Sequence, residues 1–355
     1  MKMIMVMIII CFFVVLFMFI NKNYFYSIDN YTDTRILSVI NTNKFLYPQK
    51  RVANTPLTRL KSKLKDFKLG TKLPNIFVYK PKYLPKVREQ GNCGSCWAFV
   101  VTSVLSDSIT MRVFKFQKNL SVQQLISCYG DGKGCSGASP EDVFIWMEKT
   151  RFKLMFEDKF PYTQVGDVIE TKCVTPQTGI MVAKNSVRSL CTYIDQENIS
   201  NPTENISKIL KDNIYKMKME LYKYGPFFGT ITVYEDFLNF NGKGVYAKKE
   251  GTSKSSNVSQ GGHAIVVIGW CDKDVDPRPE YREAHWICKN SWGENWARQS
   301  DFKGYFAIKM GVNECGIESR SGTAEPAIKP LAEDKIITKV VYTNIKEYLF
   351  DALKK

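Results

Sequence analysis

The longest apolar run opens the chain. Met3 to Ile20 is an uncharged stretch of 18 residues, about 27 Å long as a helix and close to the hydrocarbon thickness of a bilayer. A cleaved signal has a shorter apolar region and small residues ahead of the cut, and Phe19-Ile20-Asn21-Lys22 offers none. The pattern therefore predicts an uncleaved membrane anchor over residues 1–20, with a cleaved signal peptide as the alternative. A mixed pattern follows. Thr55-Pro56 supplies an N-cap and a proline at the first helical position. Leu57, Leu60, Leu64 and Phe67 then share one helical face, with Lys61, Lys63, Lys65 and Lys68 around it and Gly70 at the end. This is a solvated helical spacer or a removable inhibitory segment.

From Leu73-Pro74 the texture becomes globular. Residues 96–114 are apolar on most sides, which predicts a buried helix. Further helices are expected at 121–127, at 140–150 behind Ser139-Pro140-Glu141-Asp142, and at 205–224, separated by an irregular polar middle. Strand signals then dominate: Phe227 to Val233, Ala264 to Ile268, Trp286 to Cys288 and Tyr305 to Ile308. Helices first and strands later predict an α+β fold with a helical half and a β half. Residues 332–353 place Ile336, Ile337, Val340, Val341, Ile345, Tyr348 and Leu349 at helical spacing, so a helix packed on the body is expected there.

Charge and cysteine content narrow the functional classes. The formal net charge is +15, but residues 1–72 hold 12 Lys/Arg against Asp29, Asp33 and Asp66, so most of the excess sits on the leader. A nucleic-acid protein would carry it on a folded face, and no nucleic-acid partner is expected. Ten cysteines favour an oxidising compartment. The acceptor sequons at Asn30, Asn119, Asn198, Asn205 and Asn257 are compatible with a lumenal body. His263 and His285 are the two histidines, which argues against a multi-histidine metal site and restricts any imidazole base to one of them.

The densest chemical signal is Gln90-Gly91-Asn92-Cys93-Gly94-Ser95-Cys96-Trp97-Ala98-Phe99. Its second cysteine opens the buried helix, where unpaired N–H groups and the positive end of the macrodipole stabilise a thiolate. Three chemistries compete. Zinc could be held by Cys93, Cys96, Cys128 and Cys135, although the last two are loosely spaced and the adjoining tryptophan has no zinc role. A dithiol oxidoreductase would attack with Cys93 and resolve with Cys96. A covalent hydrolase would attack with Cys96 and needs a histidine with an orienting group. Gly261-Gly262-His263 enters one strand and Lys289-Asn290-Ser291-Trp292-Gly293 follows another, so a hairpin could set His263 beside Asn290. The zinc and redox chemistries use neither residue.

These motifs, together with Cys315-Gly316-Ile317-Glu318-Ser319, resemble the papain-like cysteine peptidases over about residues 73–320, and most closely their cathepsin B-like branch. The resemblance implies a two-domain fold with the groove between a helical half and a β-barrel-like half. It implies Cys96 as nucleophile, His263 as acid/base and Asn290 as the group orienting the imidazole. Trp292 shields that hydrogen bond, Trp97 supports the site, and Gln90 lends its amide to the oxyanion hole beside the Cys96 N–H. Bridges Cys93–Cys135 and Cys128–Cys173 are implied, residues 21–72 become an inhibitory propeptide cleaved near Thr71–Asn75, and no cofactor or metal is called for. Residues 321–355 have no counterpart in the resemblance.

Departures from the pattern bear on specificity. Exopeptidase action in this branch depends on a histidine pair in an inserted loop, which this chain lacks, so an endopeptidase is expected. The groove, expected to include Gly137, Ala138 and Gly262, has Ala138 in place of a second glycine. The Gly225-Pro226 pair is followed by Phe227 instead of a cysteine partner for Cys315, and Cys271 and Cys288 could pair with each other. Arg320 stands where the branch tends to carry an acid, at the pocket for the second residue before the cut. Acidic substrate side chains are expected to suit it, unless Arg320 turns outward or pairs with Glu318. The sequence thus predicts a membrane-anchored, monomeric, extracytoplasmic cysteine endopeptidase made as a zymogen, acting on proteins or peptides, or a secreted or lysosome-like one if the leader is cleaved. The rivals are an inactive binding relative and, further off, the dithiol oxidoreductase.

Overall fold

The computed structural model describes residues 72–112, 117–130, 134–164, 166, 171–195, 202–249, 258–328 and 340–354. The expected anchor at 1–20, the propeptide-like segment up to residue 71 and the sequons at Asn30, Asn198 and Asn257 lie outside them. Among the described residues no helix is long and apolar enough to cross a membrane.

The predicted buried helix is α1, Cys96–Arg112. Its side chains are buried all round from Cys96 to Met111, and its hydroxyls are accommodated by bonding back one turn. Thr102 donates to the Ala98 carbonyl at 2.8 Å, Ser106 to Thr102 at 2.7 Å and Thr110 to Ser106 at 2.9 Å. Helices α2 (Val122–Cys128) and α3 (Pro140–Thr150) pack on it, started by the Ser121 and Ser139 hydroxyls accepting from Gln124 N and Asp142 N. Helix α4 (Glu204–Lys223) is capped in the same way by Thr203. Asn205 is exposed in its first turn, and Asn119 is half-buried with its Oδ1 out of solvent.

The four expected strands form, and further short strands join them, one of them ahead of α1. They are β1 (Ile76–Tyr79), β2 (Arg188–Ser189), β3 (Phe227–Tyr234), β4 (Val245–Tyr246), β5 (Ser259–Cys271), β6 (His285–Lys289), β7 (Tyr305–Lys309), β8 (Ser321–Thr323) and β9 (Val341–Tyr342). They form one sheet in the order β2-β8-β3-β5-β6-β7-β4, with β1 joining β5 to β9. Strand β5 is its axis, pairing with β3, β6 and β1 and packing against α1. Where β1 crosses it, a side chain at Gly269 would place its Cβ 2.5 Å from the Phe77 carbonyl oxygen, so the glycine is what admits the third strand.

The structure departs from expectation at the C-terminal end. The sheet runs past residue 320, because β8 lies between β2 and β3. The stretch expected as a helix over 332–353 is, in its described part, a strand and then helix α5 (Ile345–Ala352). The β-branched and aromatic pair Val341-Tyr342 extends the edge at β1, and Lys80 N–H donates to the Val340 carbonyl at 2.8 Å. Lys80 pairs with Glu347, and the Tyr348 hydroxyl donates to Asp301 at 2.7 Å. This tail is built into the domain at the strand that follows the expected cleavage point.

Cys93–Cys135 and Cys128–Cys173 are disulfides. Cys191, Cys271, Cys288 and Cys315 are free and buried. Cys271 and Cys288 cannot meet as their hairpin position allowed, because the register sets Cys271 opposite His285 and Cys288 opposite Val267.

Candidate active site

Cys96, the first residue of α1, sits behind a tight turn that Gly91 enters with φ of +61° and the Cys93–Cys135 disulfide holds. The backbone N–H groups of Ala264, Trp97 and Cys96 itself are near enough to favour its thiolate. The thiol thus faces the His263-Ala264 peptide of β5, and Cys96 and His263 line one cleft with Ala138, Pro140, Thr230, Gly262, Ala264 and Arg320. Of the residues expected in the groove, Ala138, Gly262 and Arg320 line this cleft; Gly137, next to it, takes φ of +85°.

His263 is fixed on two sides. Its Nε2 is 2.8 Å from Asn290 Oδ1, which also accepts from Ser291 N–H at 2.8 Å. An amide oxygen only accepts, so Nε2 carries the proton and Nδ1 is left for the thiol. Trp292 stacks on the imidazole with ring centroids 4.5 Å apart, and Phe237 and Trp296 back the indole at 5.6 and 5.1 Å. His285, by contrast, is buried at the other end of β6, with Nδ1 2.7 Å from the Glu283 carbonyl oxygen.

Gln90 reaches the same place from the turn before α1. Its Nε2 donates to the Cys93 carbonyl at 3.0 Å, while Ser291 Oγ donates to its Oε1 at 2.6 Å. With the oxygen held by Ser291, the amide nitrogen must face the cysteine side, and its second N–H remains to be given. Trp97 is fully buried, and its Nε1 donates to the Gly134 carbonyl at 2.9 Å, next to the disulfide.

Burial sets the electrostatics. It pushes the Cys96 thiol up to about 11, against the pull of the backbone N–H groups, and the His263 imidazolium down to about 4, against the pull of Asn290. Each charge alone is unfavourable here.

Some participants are not evident from the sequence. Ser291 was visible only as part of a motif, yet it sets the orientation of Gln90. Tyr162 donates to the Gln90 carbonyl at 2.8 Å from the irregular middle of the chain, which carries no periodic signal. Asp107 on α1 and Lys289 on β6, 3.0 Å apart and both buried, tie the Cys96 helix to the strand that delivers Asn290. Thr230 is foreshadowed only by strand alternation, which sets Phe228, Thr230 and Thr232 on one face of β3.

The profile of the papain family cysteine proteases matches residues 74–324. The chain is 30% identical over 295 residues to cathepsin B-like cysteine proteinase 6 of Caenorhabditis elegans, covering 73% of this chain and 67% of the relative. It is 30% identical over 269 residues to the cathepsin B-like cysteine proteinase of Schistosoma japonicum, covering 71% and 72%. Among solved structures, proCathepsin B S9 from Trypanosoma congolense superposes with a TM-score of 0.55 at 23% identity, over 74% of this chain and 80% of that one. Digestive procathepsin L 3 of Tenebrio molitor larval midgut gives 0.51 at 20% identity, over 82% and 78%.

Proposed function

This chain belongs to the papain family of cysteine proteases, and from that footing we propose that it is an endopeptidase acting through Cys96, His263, Asn290 and Gln90. The observation that carries the proposal is the fixed imidazole: held at Nε2 by Asn290 and on its face by Trp292, it opens onto the same cleft as a cysteine at a helix N-terminus.

In the proposed reaction His263 Nδ1 takes the Cys96 proton, and the thiolate attacks the scissile carbonyl carbon. The C–S bond forms as the carbonyl oxygen takes up negative charge, which the Cys96 N–H and the second Nε2 hydrogen of Gln90 stabilise. Collapse breaks the C–N bond, and the departing amine takes the proton from Nδ1. Water then gives a proton to His263 and its oxygen to the thioester carbon, and cleavage of the C–S bond returns the thiolate with its imidazolium.

The endopeptidase assignment is supported by the position of His285, buried away from the cleft and bonded to the Glu283 carbonyl, so that no histidine pair is present among the described residues to hold a substrate carboxy-terminus. The inhibitory role of residues 21–72 and the anchor over Met3–Ile20 rest on the sequence. An extracytoplasmic location is further supported by the two disulfides.

The test is a fluorogenic peptide assay on the full chain, before and after cleavage near Thr71–Asn75, with the products read by mass spectrometry. Internal cleavage that appears with processing and vanishes in Cys96→Ala is expected. Stepwise loss of C-terminal dipeptides would refute the endopeptidase assignment, and no turnover by folded, processed protein would favour an inactive binding relative.

A further inference from the structure

The cleft beside Cys96 contains two buried hydrogen-bond donors with nothing to bond. Thr230 is 5% exposed, and its Oγ1 has no partner; Arg320 Nε is likewise buried and unpartnered. A hydroxyl and a guanidinium N–H left dry are each costly, and the guanidinium also carries a charge. Their shared cleft is the place where an incoming group could satisfy both.

Arg320 is aimed there by its surroundings. It neither turns outward nor pairs with Glu318, because both Glu318 oxygens are occupied: Trp286 Nε1 donates at 3.0 Å, Gly311 N–H at 2.7 Å and Asn313 N–H at 2.6 Å. No carboxylate pairs with Arg320 among the described residues. Its backbone carbonyl is tied to Thr230 N–H at 2.8 Å, and Nη2 donates to Thr232 Oγ1 at 3.1 Å. The guanidinium lies over the Cα of Gly316, in space that any side chain at that position would occupy. With one N–H given to Thr232, the remaining fork faces a cleft whose walls apart from Cys96, His263 and Thr230 are Ala138, Pro140, Gly262 and Ala264, which are short and carry no charge.

We propose that this cleft is a carboxylate-binding subsite, so that the enzyme prefers peptides with Asp or Glu seated on Arg320 and Thr230 next to the bond that is cut. The inference rests on the peptidase reading above. A planar carboxylate accepts two parallel N–H bonds from a guanidinium and, on a remaining lone pair, one from a hydroxyl. An apolar side chain in the same place leaves Thr230 and Nε dry, and a lysine adds repulsion between like charges.

The test is a peptide library in which each of four positions on either side of the cut carries Asp, Glu, Leu or Lys in turn, read as the ratio of kcat/KM within one enzyme. For the wild type, one position is expected to favour an acid over Leu by on the order of tenfold to a hundredfold. That ratio should collapse in Arg320→Met, fall partway in Thr230→Val, and invert towards Lys in Arg320→Glu. Turnover with no acidic preference, or with a preference that Arg320→Met leaves in place, would overturn the proposal while leaving the peptidase standing. If folded, processed enzyme cuts no peptide in the library, the peptidase reading fails and the subsite falls with it.

Discussion

Asn290 Oδ1 lies 2.8 Å from His263 Nε2, and the same oxygen is bonded by the Ser291 N–H, so the amide is held before it holds the ring. Asn290 Nδ2 is buried with no partner, which leaves the oxygen as the atom that acts. Asn290→Ala is expected to lower kcat by on the order of tenfold to a hundredfold with little change in KM, the loss of a hydrogen bond to a group charged during turnover. A KM effect with unchanged kcat would show that Asn290 contacts substrate instead of orienting the imidazole.

Gln90 presents a sharper case because its orientation is imposed from outside. Gln90→Ala removes a donor from the forming oxyanion and should cost about 10²–10³ in kcat. Ser291→Ala should cost less, since it frees the Gln90 amide to rotate without removing it. Equal losses would mean that Gln90 acts by packing the turn and not through its nitrogen.

The pH dependence follows from burial acting in opposite directions on the two partners. Protonating the sulfur at low pH destroys the nucleophile, and deprotonating the imidazole at high pH removes the donor for the leaving amine, so kcat/KM should be bell-shaped. Without the imidazolium the thiolate has only the backbone N–H groups to oppose burial. In His263→Ala, alkylation of Cys96 by iodoacetamide should therefore rise only towards pH 11, where burial sets the thiol, and not in the acid-to-neutral range. Unchanged alkylation profiles would show that no such pair forms.

Asp107 and Lys289 join the two halves through an ion pair 3.0 Å long, both side chains fully buried. Removing either partner leaves a charge in the core and should destabilise the folded chain by about 3–5 kcal/mol. The double replacement Asp107→Leu with Lys289→Met should recover most of that loss. Urea denaturation in the Cys96→Ala background, which avoids self-digestion, measures both. A double variant no better than the singles would place the cost in packing instead of charge.

How much of this was legible in the sequence differed with the range of the interaction. Helix α1 could be read because its apolar residues run all round and a glycine-bracketed turn precedes it. Helix α3 announced itself through Ser139-Pro140, a start signal that acts within three residues. His263 and Asn290 could be paired because one hairpin brings them together. The link from Asp107 to Lys289 spans 182 residues, and no local pattern marks it. Strand β9 was hidden because Val340, Val341 and Ile345 fit a helical stripe as well as an edge strand, and only the open edge of β1 decides between them. Arg320 was identified as a departure, but its direction depends on Glu318 being satisfied elsewhere, which only the folded chain reveals.

The central claim is that Cys96, and not Cys93, is the reacting thiol. The most direct measurement is labelling of the folded full chain with an epoxysuccinyl peptide probe, before and after cleavage near Thr71–Asn75, with the modified cysteine mapped by mass spectrometry. The account predicts label on Cys96 alone, appearing with processing, retained in Cys93→Ala to the extent that variant folds, and absent from Cys96→Ala. Label on Cys93, or none on folded and processed protein, would contradict it.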